Sequence, residues 1–142
     1  MSAKMAKDIL LVEDNPDDAE LTRIAFAEAG IDYRLHVVGD GAQALAYLRG
    51  CSTSELPSLV LLDLNLPDMS GIDILARVKA DERLKRAPVV VLTTTDDKVE
   101  IQRCYDLGCN VYITKPVDYE SFADAIRQLG LFLSVMQAPD IE

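Results

Sequence analysis

The stretch Leu59-Val60-Leu61-Leu62-Asp63 carries four consecutive apolar residues and then a carboxylate. An unbroken apolar run of that length has the size of a strand buried on both faces, the kind found inside parallel sheets. Similar short runs stand at Ile9–Val12, Leu35–Val38, Val89–Leu92 and Val111–Ile113. Between them the apolar spacing turns helical, over Ala19–Ala29, Ala42–Leu48, Ile72–Lys79, Lys98–Leu107 and from Ser121 to about Met136. Strand and helix alternate throughout, which implies right-handed crossovers and helices on both faces of the sheet. The fold class is therefore α/β, doubly wound. Asn15-Pro16, Gly30, Asp40-Gly41 and Gly108 mark helix boundaries. The segment from Arg49 to Ser58, with Gly50, Cys51, Ser52, Thr53, Ser54 and Pro57, reads as an exposed loop.

Composition narrows the function. A chain of 142 residues, 49% of them hydrophobic, suits one domain with one sizeable core and no separate output module. With 14 Lys plus Arg against 24 Asp plus Glu, the formal charge of -10 repels nucleic acid and anionic membranes. The apolar runs are too short to span a bilayer and the N-terminus has no apolar signal core, so a cytoplasmic protein is expected. Cys51, Cys104 and Cys109 lack metal-ligand spacing and read as reduced, mostly packed thiols. His36 reads as a strand-surface residue without a function.

In doubly wound sheets, ligands bind beyond the carboxyl ends of the strands, where strand order reverses. The first run leads into Glu13 and Asp14, the third into Asp63, the fourth into Thr93 and the fifth toward Lys115. A strand order 2-1-3-4-5 brings Glu13, Asp14 and Asp63 into one pocket. Clustered carboxylates repel one another unless a cation compensates, and hard oxygen donors suit magnesium. Each residue alone has a plainer explanation. Asp14 or Asn15 would cap a helix, Asp63 could start the turn at Asn65-Leu66-Pro67-Asp68, and Lys115 could be a solvated charge. Those explanations do not account for acid, acid, hydroxyl and amine falling on one rim.

Four motifs resemble the receiver domain of two-component response regulators: Ile9 to Asn15, Leu61 to Gly71, Val91-Leu92-Thr93, and Tyr112-Ile113-Thr114-Lys115-Pro116. The resemblance covers residues 6–130 and leaves 131–142 as a C-terminal helix extension and tail. It implies a flavodoxin-like (βα)5 fold with a five-stranded parallel sheet. It also implies a phosphoryl group accepted from a sensor histidine kinase on Asp63. Magnesium would be held by Asp14, Asp63 and the Asn65 backbone carbonyl, with Glu13 acting through water. Thr93 and Lys115 would contact the phosphoryl group, and Tyr112 would be a switch aromatic. Asn65 and Thr95 would tune dephosphorylation, and the Lys115–Pro116 bond would be cis. Output would be either a conformational switch or onward transfer to a phosphotransfer protein. The loop Arg49–Ser58 and the apolar tail resemble stand-alone regulators paired with bacterial phytochromes, which implies a phytochrome as the kinase.

Such a protein catalyses only its own phosphorylation and dephosphorylation. Two other functions compete: a haloacid-dehalogenase-like phosphatase, which needs a second Asp where Asn65 stands, and an interaction domain independent of phosphorylation. On a wheel of about 100° per residue, Phe122, Ile126, Leu129, Leu133 and Met136 form one face toward the sheet. Leu131, Phe132 and Val135 lie off that face and suggest a homodimer through the last helix, unless Gly130 folds the tail back.

Overall fold

The computed structural model describes residues 7–30, 33–94, 96–114, 120–121 and 123–128. Five strands, β1 (Lys7–Val12), β2 (Tyr33–Val38), β3 (Leu59–Leu62), β4 (Val89–Thr93) and β5 (Val111–Thr114), form one sheet. Its order is β2-β1-β3-β4-β5 and every pairing is parallel. This is the flavodoxin-like arrangement expected from the sequence.

Alternate residues of the central strands feed two cores. Leu10, Val12, Val60, Leu62, Val89 and Val91 pack toward α2 (Gly41–Gly50), α3 (Gly71–Ala80) and α4 (Lys98–Leu107). Ile9, Leu11, Leu59, Leu61, Val90 and Leu92 pack toward α1 (Pro16–Glu28) and Ile126 of the helical residues 123–128. Two buried faces explain why β3 and β4 read as continuous apolar runs. Ile126 is fully buried, which agrees with the expected sheet-facing stripe. The other members of that stripe, with Leu131, Phe132 and Val135, lie outside the described residues.

Helix α1 begins at Pro16, three residues ahead of its apolar spacing, because Asn15 caps it: its Oδ1 accepts the N–H groups of Asp17 at 2.8 Å and Asp18 at 3.2 Å. Gly30 and Gly108 take left-handed backbone conformations past the ends of α1 and α4, as their positions in the sequence suggest. The segment after α2 is only partly a loose loop. Residues Ser52 to Glu55 are exposed, but a short 3-10 turn forms over Thr53–Glu55, Leu56 packs on the core and Pro57 is buried. His36 lies on β2 with Nε2 3.6 Å from Asp8 and its ring in a tilted contact with Tyr47, centroids 5.3 Å apart. Cys104 and Cys109 are buried free thiols, and burial pushes Cys109 up to about 11. Among the described residues, no helix is long and apolar enough to cross a membrane.

Candidate functional site

The backbone ladder itself assembles the pocket. The Asp63 N–H donates to Val12 O at 3.1 Å and the Glu13 N–H to Val38 O at 2.9 Å, so parallel pairing continues one residue past the strand ends. Glu13, Asp14 and Asp63 then each offer a carboxylate oxygen within 4.8 Å of the others. Among the described residues this is the one cluster of metal-ligating side chains. Glu13 and Asp63 are buried and Asp14 is exposed, so the group opens to solvent on one side. Three hard oxygen donors in that space fit a small divalent cation such as magnesium or manganese.

The plain structural roles are present as well, on neighbouring atoms. Asn15 and not Asp14 caps α1, which leaves the Asp14 carboxylate in the cluster. Glu13 accepts the Asn15 N–H at 3.2 Å, and Asp63 Oδ1 accepts the Asn65 N–H at 3.0 Å, a local turn of the type Asp favours. Beyond Asp63 the loop closes on itself through the Gly71 N–H to Leu64 O bond at 2.9 Å and an Asn65–Ser70 bridge. Gly71 is required here: a Cβ would lie 2.5 Å from the Asp63 carbonyl oxygen.

Thr93 ends β4 fully buried, and its hydroxyl takes a 3.4 Å hydrogen bond from the Asn65 side-chain amide. The sequence gives no sign of this contact, because the two residues are 28 apart and meet only through strand order. Tyr112 on β5 is partly buried against the core below α4; burial pushes its phenol up to about 12. Its backbone N–H donates to the Tyr105 hydroxyl at 3.1 Å. Lys115, Thr95 and the Lys115–Pro116 bond lie outside the described residues.

A doubly wound sheet with an acidic cluster at its switch point and a buried hydroxyl one strand away defines a receiver-type phosphoacceptor. The family model for the response regulator receiver domain matches residues 9–127, and the chain belongs to that family. Receiver domains accept phosphoryl groups from sensor histidine kinases in two-component signalling. Response regulator Rcp1 of Synechocystis sp. is 42% identical over 89% of this chain and 88% of its own. A structure of Rcp1 in its Mn(2+)-bound form has a TM-score of 0.80, with 37% identity over 89% of this chain and 93% of that one. A receiver domain structure from Rhodospirillum rubrum is 57% identical over 92% of this chain and 95% of that one, with a TM-score of 0.82. The phosphorylated cyanobacterial phytochrome response regulator RcpA is 40% identical over 90% and 94%, with a TM-score of 0.83.

Proposed function

We propose that Asp63 is the phosphoryl acceptor of this chain and that its transfer depends on magnesium. The observation that carries the reading is the cluster of Glu13, Asp14 and Asp63 within 4.8 Å, one strand from the buried Thr93 hydroxyl. An Asp63 carboxylate oxygen attacks phosphorus as the donor's bond to it breaks, and an aspartyl phosphate forms. Asp14, Asp63 and the Asn65 carbonyl would hold magnesium, with Glu13 acting through water. The metal, when bound, supplies positive charge against the phosphoryl oxygens. Thr93 donates its hydroxyl to one phosphoryl oxygen, giving up its bond from Asn65, and Lys115 pairs with another. Tyr112 turns toward the space Thr93 leaves, and Asn65 with Thr95 governs access of water to the acyl phosphate.

The donor is a sensor histidine kinase. The relation to a cyanobacterial phytochrome response regulator supports a phytochrome in that role. The receiver unit runs over 6–130, and the extension at 131–142 continues the last helix into a homodimer contact. A phosphatase reading is disfavoured by Asn65, whose amide is a hydrogen-bond donor to Thr93 and supplies no acid. Intact-mass measurement with a small acyl phosphate donor separates these functions. One stable phosphoryl addition that Asp63→Asn abolishes supports the acceptor; steady multiple turnover of a phosphate ester supports the phosphatase. A wild type that takes up no phosphoryl group favours the binding-only domain.

A further inference from the structure

The loop between β3 and α3 carries Asp63 at one end and is anchored at the other by Asp68. The Asp68 carboxylate reaches back to the start of α2, where Oδ1 accepts the Gly41 N–H at 2.8 Å and Oδ2 the Ala42 N–H at 3.0 Å. Helix α2 already has a local cap, since Asp40 accepts the Gln43 N–H at 2.8 Å and the Gln43 side-chain amide at 3.3 Å. The second carboxylate therefore does something the first does not: it joins the helix to a segment more than twenty-five residues away in sequence. Met69 reinforces the join by packing where a Cβ on Gly41 would come within 2.5 Å of its Cγ. The backbone bonds from α2 also hold the Asp68 carboxyl below its ordinary range.

Two sets of contacts hold this loop. Gly71 packs its N-terminal half against Asp63 and Leu64, and Asp68 fixes its crest to α2. Asn65 lies in between, held by the Asp63 carboxylate and bonded to Thr93. We propose that Asp68 is a positioning residue, whose tether to the first turn of α2 fixes the Asp63–Asn65 loop in its metal-binding geometry. The inference rests on Asp63 and its neighbours being a metal-assisted phosphoryl site. Outer partners that orient ligands often change metal affinity by about tenfold or more when removed, although they never touch the ion.

Manganese titration, followed by the paramagnetic resonance of the free ion, tests the tether directly in the full chain. Urea midpoints are measured beside it. Asp68→Ala is expected to weaken manganese binding by about tenfold. Asp68→Asn keeps one oxygen acceptor and should fall between it and the wild type. Asp40→Ala removes a cap from the same helix without touching the loop, so it should lower the urea midpoint and leave manganese affinity within about twofold. A role confined to capping α2 predicts instead that Asp68→Ala and Asp40→Ala both lose stability and both keep wild-type affinity; that result overturns the proposal. So does an equal loss of affinity in both. A wild type that binds no manganese removes the metal reading itself, whereas a normal wild type with a normal Asp68→Ala removes only the tether.

Discussion

Asp14 and Asn15 show how neighbouring residues divide two tasks that the sequence leaves open to either. Asn15 takes the helix cap, and Asp14 joins the carboxylate cluster. The acidic members were legible because strand ends and strand order alone bring them together. The Asn65–Thr93 bond and the Asp68 anchor were not, since both depend on how one loop lies over the sheet. Thr93 gives a test at this scale. Thr93→Ala should slow labelling of Asp63 by a small donor about tenfold or more, and Thr93→Ser should restore most of the rate, as time-resolved intact mass would report. Gly71 gives another. Gly71→Ala forces a Cβ against the Asp63 carbonyl and should cost about 1–3 kcal/mol in urea unfolding. Gly50, with nothing within 4 Å of a built Cβ, should tolerate alanine with no loss.

Among the elements, the strands were the most readable. A strand buried on both faces needs an apolar residue at every position, so β3 and β4 stand out in the sequence as unbroken runs. Helix starts varied: the Asn15 cap sets α1 three residues ahead of its apolar spacing, whereas α4 begins at Lys98, where the spacing placed it. The segment after α2 read as a loop because its polar residues are exposed, while Leu56 and Pro57 pin it to the core. Leu61, fully buried in the middle of β3, should lose about 2–5 kcal/mol as Leu61→Ala in urea unfolding. The turn after α3 has a pH dependence of known sign. Asp81 accepts the N–H groups of Leu84 at 3.1 Å and Arg83 at 2.9 Å, and these bonds hold its carboxyl below the ordinary 3.8. A lowered folded value means the stabilisation is fully present above the ordinary, unfolded value and is lost as pH falls from there through the folded value. Urea midpoints measured across the acid range should therefore fall less steeply for Asp81→Asn than for the wild type.

At the scale of the whole molecule, the chain carries a formal charge of -10 with three carboxylates in one pocket, and phosphorylation replaces the single charge of the Asp63 carboxylate with about -1.5 to -2 on the phosphoryl group. A cation at the pocket is the natural compensation, which is why the phosphoryl reading and the metal reading stand together. The proposed homodimer contact is a separate matter and is tested on the apolar residues Leu131 and Val135. Light scattering should show a dimer that Leu131→Asp with Val135→Asp converts into a folded monomer, and a wild type that stays monomeric at high concentration would favour a tail folded back on its own domain.

The central claim is the identity of the acceptor. Its most direct measurement is peptide-level mass mapping of the protein after incubation with a small acyl phosphate donor, with magnesium and with a chelator. The expected result is a single phosphoryl group on Asp63, present with magnesium and absent with chelator. A phosphoryl group mapped to any other residue, or full labelling of Asp63 in chelator, would contradict it.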